Sequence, residues 1–402
     1  MNPGEIVRIA SRGDGVTADG QHVSLAAPGD VVEADGTLRR GQHHATPPCR
    51  HYPECGGCQL QHVDDTAYAG FITDRIKGAF LAQGLDVPNI RPAHLSPPHS
   101  RRRVAMRAER RGRRVLLGFN EERSHRIIDI RQCEIMRPEL FVLVDPLRAL
   151  LGDLLQDRRA AAIQMTMTDQ GADLLIEKVV ADGLHAAEAL TSFAMSHRLA
   201  RLSIDAAYGP ETRWEPEPVT VTLGGVAVPF PPGGFLQATA DGEAALVGSV
   251  REAIGSAPHI ADLFAGLGTF GFAAEGHVTA VEGSRDALLA MKAGAARAGK
   301  HLRAEHRDLF RRPLSAAELG AFDAVILDPP RAGAKEQAEQ LARARTSRLA
   351  YVSCNPATFA RDAKTLCDGG WQIAWIQPVG QFRWSTHVEL VGAFTKVGDI
   401  KV

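Results

Sequence analysis

Ile260-Ala261-Asp262-Leu263-Phe264-Ala265-Gly266-Leu267-Gly268-Thr269-Phe270-Gly271 is an apolar run that passes straight into a G-x-G-x-x-G turn. A buried strand that ends in closely spaced glycines and continues as a helix lets the backbone approach a ligand. The spacing therefore predicts a strand over His259 to Phe264, a turn through Gly266, Gly268 and Thr269, and a helix beyond. The following apolar run closes at Val281-Glu282-Gly283, which sets a carboxylate at a strand's C-terminal end, where it can accept both hydroxyls of a ribose. NAD and S-adenosylmethionine share that ribose, and the glycines alone also suit a purely structural corner.

Strand and helix alternate regularly around this turn. Further strands are predicted at Val278 to Glu282, Ala324 to Asp328, Leu349 to Ser353 and Val388 to Phe394, with helices between them. The pattern is α/β, a doubly wound Rossmann-like domain over residues 236–402, entered through the Gly/Pro-rich Pro229 to Gly234. Residues 46–235 read as a mixed α+β central domain. Its strands fall at Val115 to Phe119, Ile163 to Thr168, Leu174 to Val180 and Val219 to Leu223, and its helices at Thr66 to Leu85, Pro138 to Leu155 and Leu184 to His197. Residues 1–45 form a short β-barrel-like module with turns at Gly13-Asp14-Gly15, Asp19-Gly20 and Pro28-Gly29-Asp30.

The composition, 402 residues at 45% hydrophobic, fits two or three globular domains. No run of eighteen apolar residues appears, and the N-terminus carries Glu5 and Arg8 where a secretory signal needs an apolar stretch. The expectation is a cytoplasmic protein with no membrane partner, in which the six cysteines stay reduced and serve as metal ligands, nucleophiles or small core residues. A net charge of -1 gives no global attraction to nucleic acid, but Arg101, Arg102, Arg103, Arg107, Arg110, Arg111, Arg113 and Arg114 crowd one β-prone stretch. One face of such a strand can pair with phosphates; a merely solvated charged face is the bland alternative.

Other strand ends carry groups that a corner does not need. Asp328-Pro329-Pro330-Arg331 closes an apolar strand with an acid and a rigid exit, and Tyr351-Val352-Ser353-Cys354-Asn355-Pro356 puts a thiol at the sheet edge, where it can face an electrophile. Read alone, Cys354 is a small core residue and Asp308, in Arg307-Asp308-Leu309-Phe310, a solvated loop acid.

Together, Asp328-Pro329-Pro330-Arg331-x-Gly333 and Ser353-Cys354-Asn355-Pro356-x-Thr358-x-x-Arg361-Asp362 resemble the signatures of the RNA 5-methyluridine methyltransferase family. The resemblance is strongest from Gln237 to Glu389, and it implies S-adenosylmethionine as cofactor and RNA as substrate. It implies Cys354 as the nucleophile that adds to carbon 6 of uracil, making an enolate whose carbon 5 attacks the sulfonium methyl. Glu389, in Phe382-x-x-Ser385-x-His387-Val388-Glu389, matches the base that removes the carbon 5 proton, although Arg383 replaces the usual proline and Ser385 the usual threonine. Phe264, Gly266, Gly268, Glu282, Asp308 and Asp328 map onto cofactor positions, as does Thr269 where relatives often have asparagine; Gln237, in Phe235-Leu236-Gln237, is similar to a glutamine near the cofactor or target base.

Cys49, Cys55, Cys58 and the distant Cys133 make a set of four thiolates, which suits structural zinc as well as an iron–sulfur cube. The resemblance implies [4Fe-4S], with Cys367 left as a helix core residue. It further implies a flipped uridine between the central and catalytic domains, lined by Phe264 or Phe235, and 23S rRNA as the substrate, with tRNA as the alternative. Gly4 to Ala34 resembles part of the small RNA-binding TRAM-like barrel of relatives, and the expected state is a monomer. A same-fold NAD dehydrogenase leaves Cys354, Asp328 and Glu389 without roles, and a noncatalytic metal-stabilised RNA-binding protein leaves Cys354 and Glu389 without purpose.

Overall fold

The computed structural model describes residues 4–396. Its C-terminal half is built on an eight-stranded sheet, in the order Leu302–His306, His277–Glu282, His259–Leu263, Ala324–Leu327, Arg348–Ser353, Glu389–Lys396, Trp371–Gly380 and His94–Leu95. The first five strands run parallel. Glu389–Lys396 is antiparallel to both of its neighbours. Central strands such as Ala324–Leu327 are buried throughout, which is why they read as unbroken apolar runs.

Alternate residues feed two cores. Leu263, Val325, Leu327 and Tyr351 face the helices Asp65–Ala82, Lys335–Arg343 and Pro356–Asp368. Ile260, Ile326, Ala350 and Val352 face the helices Ala240–Ile254 and Arg285–Ala298. The sheet is thus wound on both sides, as the alternation predicts.

The helix predicted after the glycine turn is absent: only the 3-10 turn Gly271–Ala273 follows. The next strand begins at His277, so too little chain remains for a helix. The hairpin Thr220–Leu223 and Val226–Pro229 covers this flank instead. Its turn passes so close that a Cβ on Gly224 would lie 2.4 Å from the Phe272 carbonyl carbon, while Val226 and Val228 pack against Gly294. The predicted helix over Pro138 to Leu155 is likewise two, Pro138–Phe141 and Val144–Leu154. Pro146 has no N–H to bond back to Val142, so a helix can start just before it but not run through it.

The central domain holds a seven-stranded sheet, in the order Glu211–Trp214, Arg201–Asp205, Gly171–Glu177, Ala160–Thr168, Arg103–Arg111, Arg114–Asn120, Ile127–Asp129. Helices Val144–Leu154 and Gly183–Ser196 cover one face. The sheet is tied to the catalytic half at Arg102, whose N–H donates to Ala238 O at 2.8 Å and whose guanidinium pairs with Glu243 at 2.6 Å. The N-terminal module is two small sheets, of three and two strands, pinned by the buried Asp30, which accepts from the Ala27 and Gly41 amides. Among the described residues no helix is long and apolar enough to cross a membrane.

Candidate active site and cysteine centre

Antiparallel pairing decides where the reactive groups stand. The ladder between Arg348–Ser353 and Glu389–Lys396 ends at the Ser353–Leu390 pair, so Cys354 and Glu389 both stand at that end, close enough for the Glu389 charge to act on the thiol. Asp328 ends the parallel neighbour, whose Leu327 pairs with Tyr351. All three line one cavity of about 940 Å³ at the C-terminal edge of the parallel strands, together with Gln237, Phe264, Gly266, Thr269 and Glu282. Asn355 accepts from the Ala357 amide and Pro356 opens the helix, so the chain turns sharply just beyond the cysteine.

The cavity is acid-rich. Burial and the Glu389 charge push Asp328 well above the usual carboxylate range. Burial raises Glu389 to about 8, against a hydrogen bond from Gln381. Burial, with Glu389 and Asp328 beside it, raises Cys354 to about 11, while Arg331 opposes the rise. Each shift is relieved by a cation lodged between these groups. Beneath them Asp262 is fully buried and pushed to about 8 by burial and Asp328, with only the Gly271 amide in opposition. Its two oxygens have no hydrogen-bond partner of ordinary geometry among the described residues.

Glu282 is fixed by two amides, accepting from Gly266 N at 2.8 Å and Ser284 N at 2.6 Å. Phe264 sits at φ +60, a conformation rare for an aromatic residue, and its ring lies 5.2 Å from that of Phe310. Gly268 and Asp308 are not brought into the cavity wall. Gly268, at φ +91, is required by packing, since a Cβ there would lie 2.7 Å from the Phe272 ring. Asp308 accepts from the Phe310 and Arg311 amides and so shapes the turn that carries Phe310 to Phe264.

One polar residue of the site, Gln381, was not singled out by sequence reasoning, and Arg101 was read only as one of a run of phosphate-pairing arginines. Gln381 accepts from the Ala238 amide and donates to Gln237 at 2.8 Å, which joins Gln237 to Glu389. Its only signal is its position just before Phe382. Arg101, from the arginine-rich stretch, lines the cavity with its guanidinium 5.1 Å from the Phe382 ring. Arg103 stacks on the exposed Phe235 at the rim, at 5.2 Å. By contrast, Arg110 is spent on the Gly152 and Leu155 carbonyls.

Cys49, Cys55, Cys58 and Cys133 surround a second, small cavity, closed by Phe119, Ile130 and Ile135. Its two chain segments are stitched together where Gln132 donates to Pro48 O and His51 accepts from the Arg131 amide. Burial pushes the Cys55 thiol to about 11 and Cys58 to about 12, and raises Cys133. Clustered buried thiols of this kind are stabilised by a cationic group that accepts them as thiolates. Among the described residues, however, no group of three or more His, Cys, Asp or Glu is drawn tightly enough to hold a single metal ion.

The model of the tRNA (uracil-5-)-methyltransferase family matches residues 301–396. An RNA methyltransferase of Zymomonas mobilis is 54% identical over 98% of this chain and 100% of its own length. The 23S rRNA (uracil(1939)-C(5))-methyltransferase RlmD of Chromohalobacter salexigens is 33% identical over 98% of this chain and 83% of its own. The tRNA (uracil-54, C5)-methyltransferase of Pyrococcus abyssi, solved with S-adenosyl-L-homocysteine, superposes with a TM-score of 0.75 over 98% of this chain and 100% of its own; at 22% identity it speaks for the fold. Similarity sustained over nearly the whole length, on a Rossmann-like sheet, places the chain in the family of S-adenosylmethionine-dependent RNA uracil-5-methyltransferases.

Proposed function

We propose that this enzyme methylates carbon 5 of a uridine in 23S rRNA, with Cys354 as nucleophile and Glu389 as base. The observation that carries the reading is that the two stand side by side in one cavity, at the end of the ladder that joins their strands. The Cys354 thiolate adds to carbon 6 and pushes the ring electrons into an enolate at oxygen 4. S-adenosylmethionine supplies the electrophilic methyl group that carbon 5 then takes. Glu389, held near 8, removes the carbon 5 proton, and the returning electron pair expels the thiolate. Glu282 would receive the ribose hydroxyls, Phe264, Gly266 and Thr269 would line the cofactor's bed, Gly268 and Asp308 would support that bed from behind by packing on Phe272 and shaping the Phe310 turn, and Asp328 and Gln237 would face the reacting groups. The flipped base enters past Phe235 and Arg103.

The four thiols are suited to a [4Fe-4S] cluster. Four cysteines lining one small cavity, from two chain segments stitched together by Gln132 and His51, support all-thiolate ligation there. The cysteines, all free, suit a reducing cytoplasm.

The test supplies the purified protein with labelled S-adenosylmethionine and, separately, rRNA and tRNA that lack 5-methyluridine. Label at uridine carbon 5 of 23S rRNA, abolished by Cys354→Ala, is expected. Label in tRNA alone would move the substrate to tRNA, and label in neither would leave an RNA-binding protein.

A further inference from the structure

The segment that delivers Glu389, from Gln381 to Val388, makes most of its contacts outside its own sheet. The Trp384 carbonyl accepts from two amides of the cysteine-bearing loop, Gln59 N at 2.8 Å and Leu60 N at 2.9 Å. The Trp384 ring forms a small buried cluster with Cys58 and Ile135, against which Cys133 packs. The residue stands at φ +58, a backbone state that an aromatic side chain keeps only where its surroundings hold it. The Gln59 side chain accepts from Thr386 N, while Tyr68 OH donates to the Phe382 and Ser385 carbonyls. Gly57, Phe119 and Ile135 line both the cysteine cavity and the catalytic cavity, so a single wall separates them.

We infer that Trp384 is a positioning residue, through which the filled four-cysteine centre holds the Gln381 to Val388 segment and so keeps Glu389 beside Cys354 in the catalytic cavity. The inference rests on the proposed roles of Cys354 and Glu389. When the centre is empty or the indole is missing, the segment relaxes out of its left-handed turn. Glu389, the first residue of its strand, then shifts away from carbon 5, whereas Cys354, held between the strand Arg348–Ser353 and the helix Pro356–Asp368, still adds to carbon 6. Proton removal is the step that suffers.

Trp384→Ala, assayed with its iron retained, should form the covalent RNA adduct within a few-fold of the native rate. It should resolve that adduct on the order of 100-fold more slowly, the scale set by a misplacement of about 1 Å. Adduct would then accumulate on a denaturing gel, and Trp384→Phe should restore most of the turnover. Hydrogen exchange gives a readout independent of activity: the 381–388 peptide should exchange faster in Trp384→Ala, and in the native protein once a chelator has stripped the centre. If Trp384→Ala fails to fold, Gln59→Ala and the stripped native protein carry the same two measurements. Native resolution rates with unchanged exchange in that peptide would overturn the inference. Failure of the native protein to methylate, or of Glu389→Gln to trap adduct, would overturn the catalytic reading instead.

Discussion

Three carboxyl groups and one thiol crowd the floor of the catalytic cavity, and their protonation sets two opposing pH dependences. The chemistry needs Cys354 and Glu389 deprotonated, from about 11 and about 8 in the ligand-free protein. The rate at low RNA concentration should therefore climb with pH up to at least about 8, read as kcat/KM across a pH series. Stability runs the other way. Asp262 and Glu389 are raised to about 8, so the folded state holds protons that the unfolded chain has released. Their contribution is fully present below the ordinary carboxylate range and is lost as pH rises toward 8. The melting temperature of the ligand-free protein should fall over that span, and Asp262→Asn should flatten the fall; an unchanged slope in the variant would refute Asp262 as a source. Glu389→Gln should bind RNA and form the Cys354 adduct yet fail to release it, which a denaturing gel reveals. Cys354 and Glu389 were legible in the sequence because each lies in a motif at a strand terminus. The strain on Asp262 was not, since burial and an unpaired carboxyl are properties of the packed sheet.

At the scale of elements, the hairpin Thr220–Pro229 takes the place of the helix predicted after the glycine turn. Gly224 sits at φ +54 against the Phe272 backbone, so Gly224→Ala must shift one element off the other. A loss of about 1–3 kcal/mol in urea unfolding is expected, with Gly225→Ala, in open space, as the comparison. Strands buried on both faces were legible as apolar runs. Trp371–Gly380 was not read as a strand: it contains Gln372, Gln377 and Pro378, is irregular between Ile373 and Trp375, and has only the short His94–Leu95 beyond it. Without that strand Gln381 could not be placed beside Glu389.

Over the whole molecule, the arginine-rich stretch serves several purposes. Arg102 and Arg110 tie the fold together, Arg101 and Arg103 face or rim the cavity, and Arg107 is exposed on the same strand. Arg107→Ala should weaken RNA binding alike across sequences and lower the slope of log affinity against log salt by roughly 1; an unchanged slope would exclude a phosphate contact. The run of arginines was visible in the sequence, but its partition was not, because it depends on Glu243 and on carbonyls far along the chain. The helix Asp65–Ala82 was likewise legible as a helix, but not as a cover for the Rossmann-like sheet. The reversed strand Glu389–Lys396 has a further consequence. Because the backbone ladder that ends at Ser353 and Leu390 brings nucleophile and base to one edge, many side-chain exchanges within the sheet itself leave that meeting intact. A deletion of one residue between 390 and 395 does not, since it slips the strand against both neighbours, turns the base away from the uridine and exchanges the side chains of the two cores. Catalysis here is guarded by the counting of residues more than by their identity.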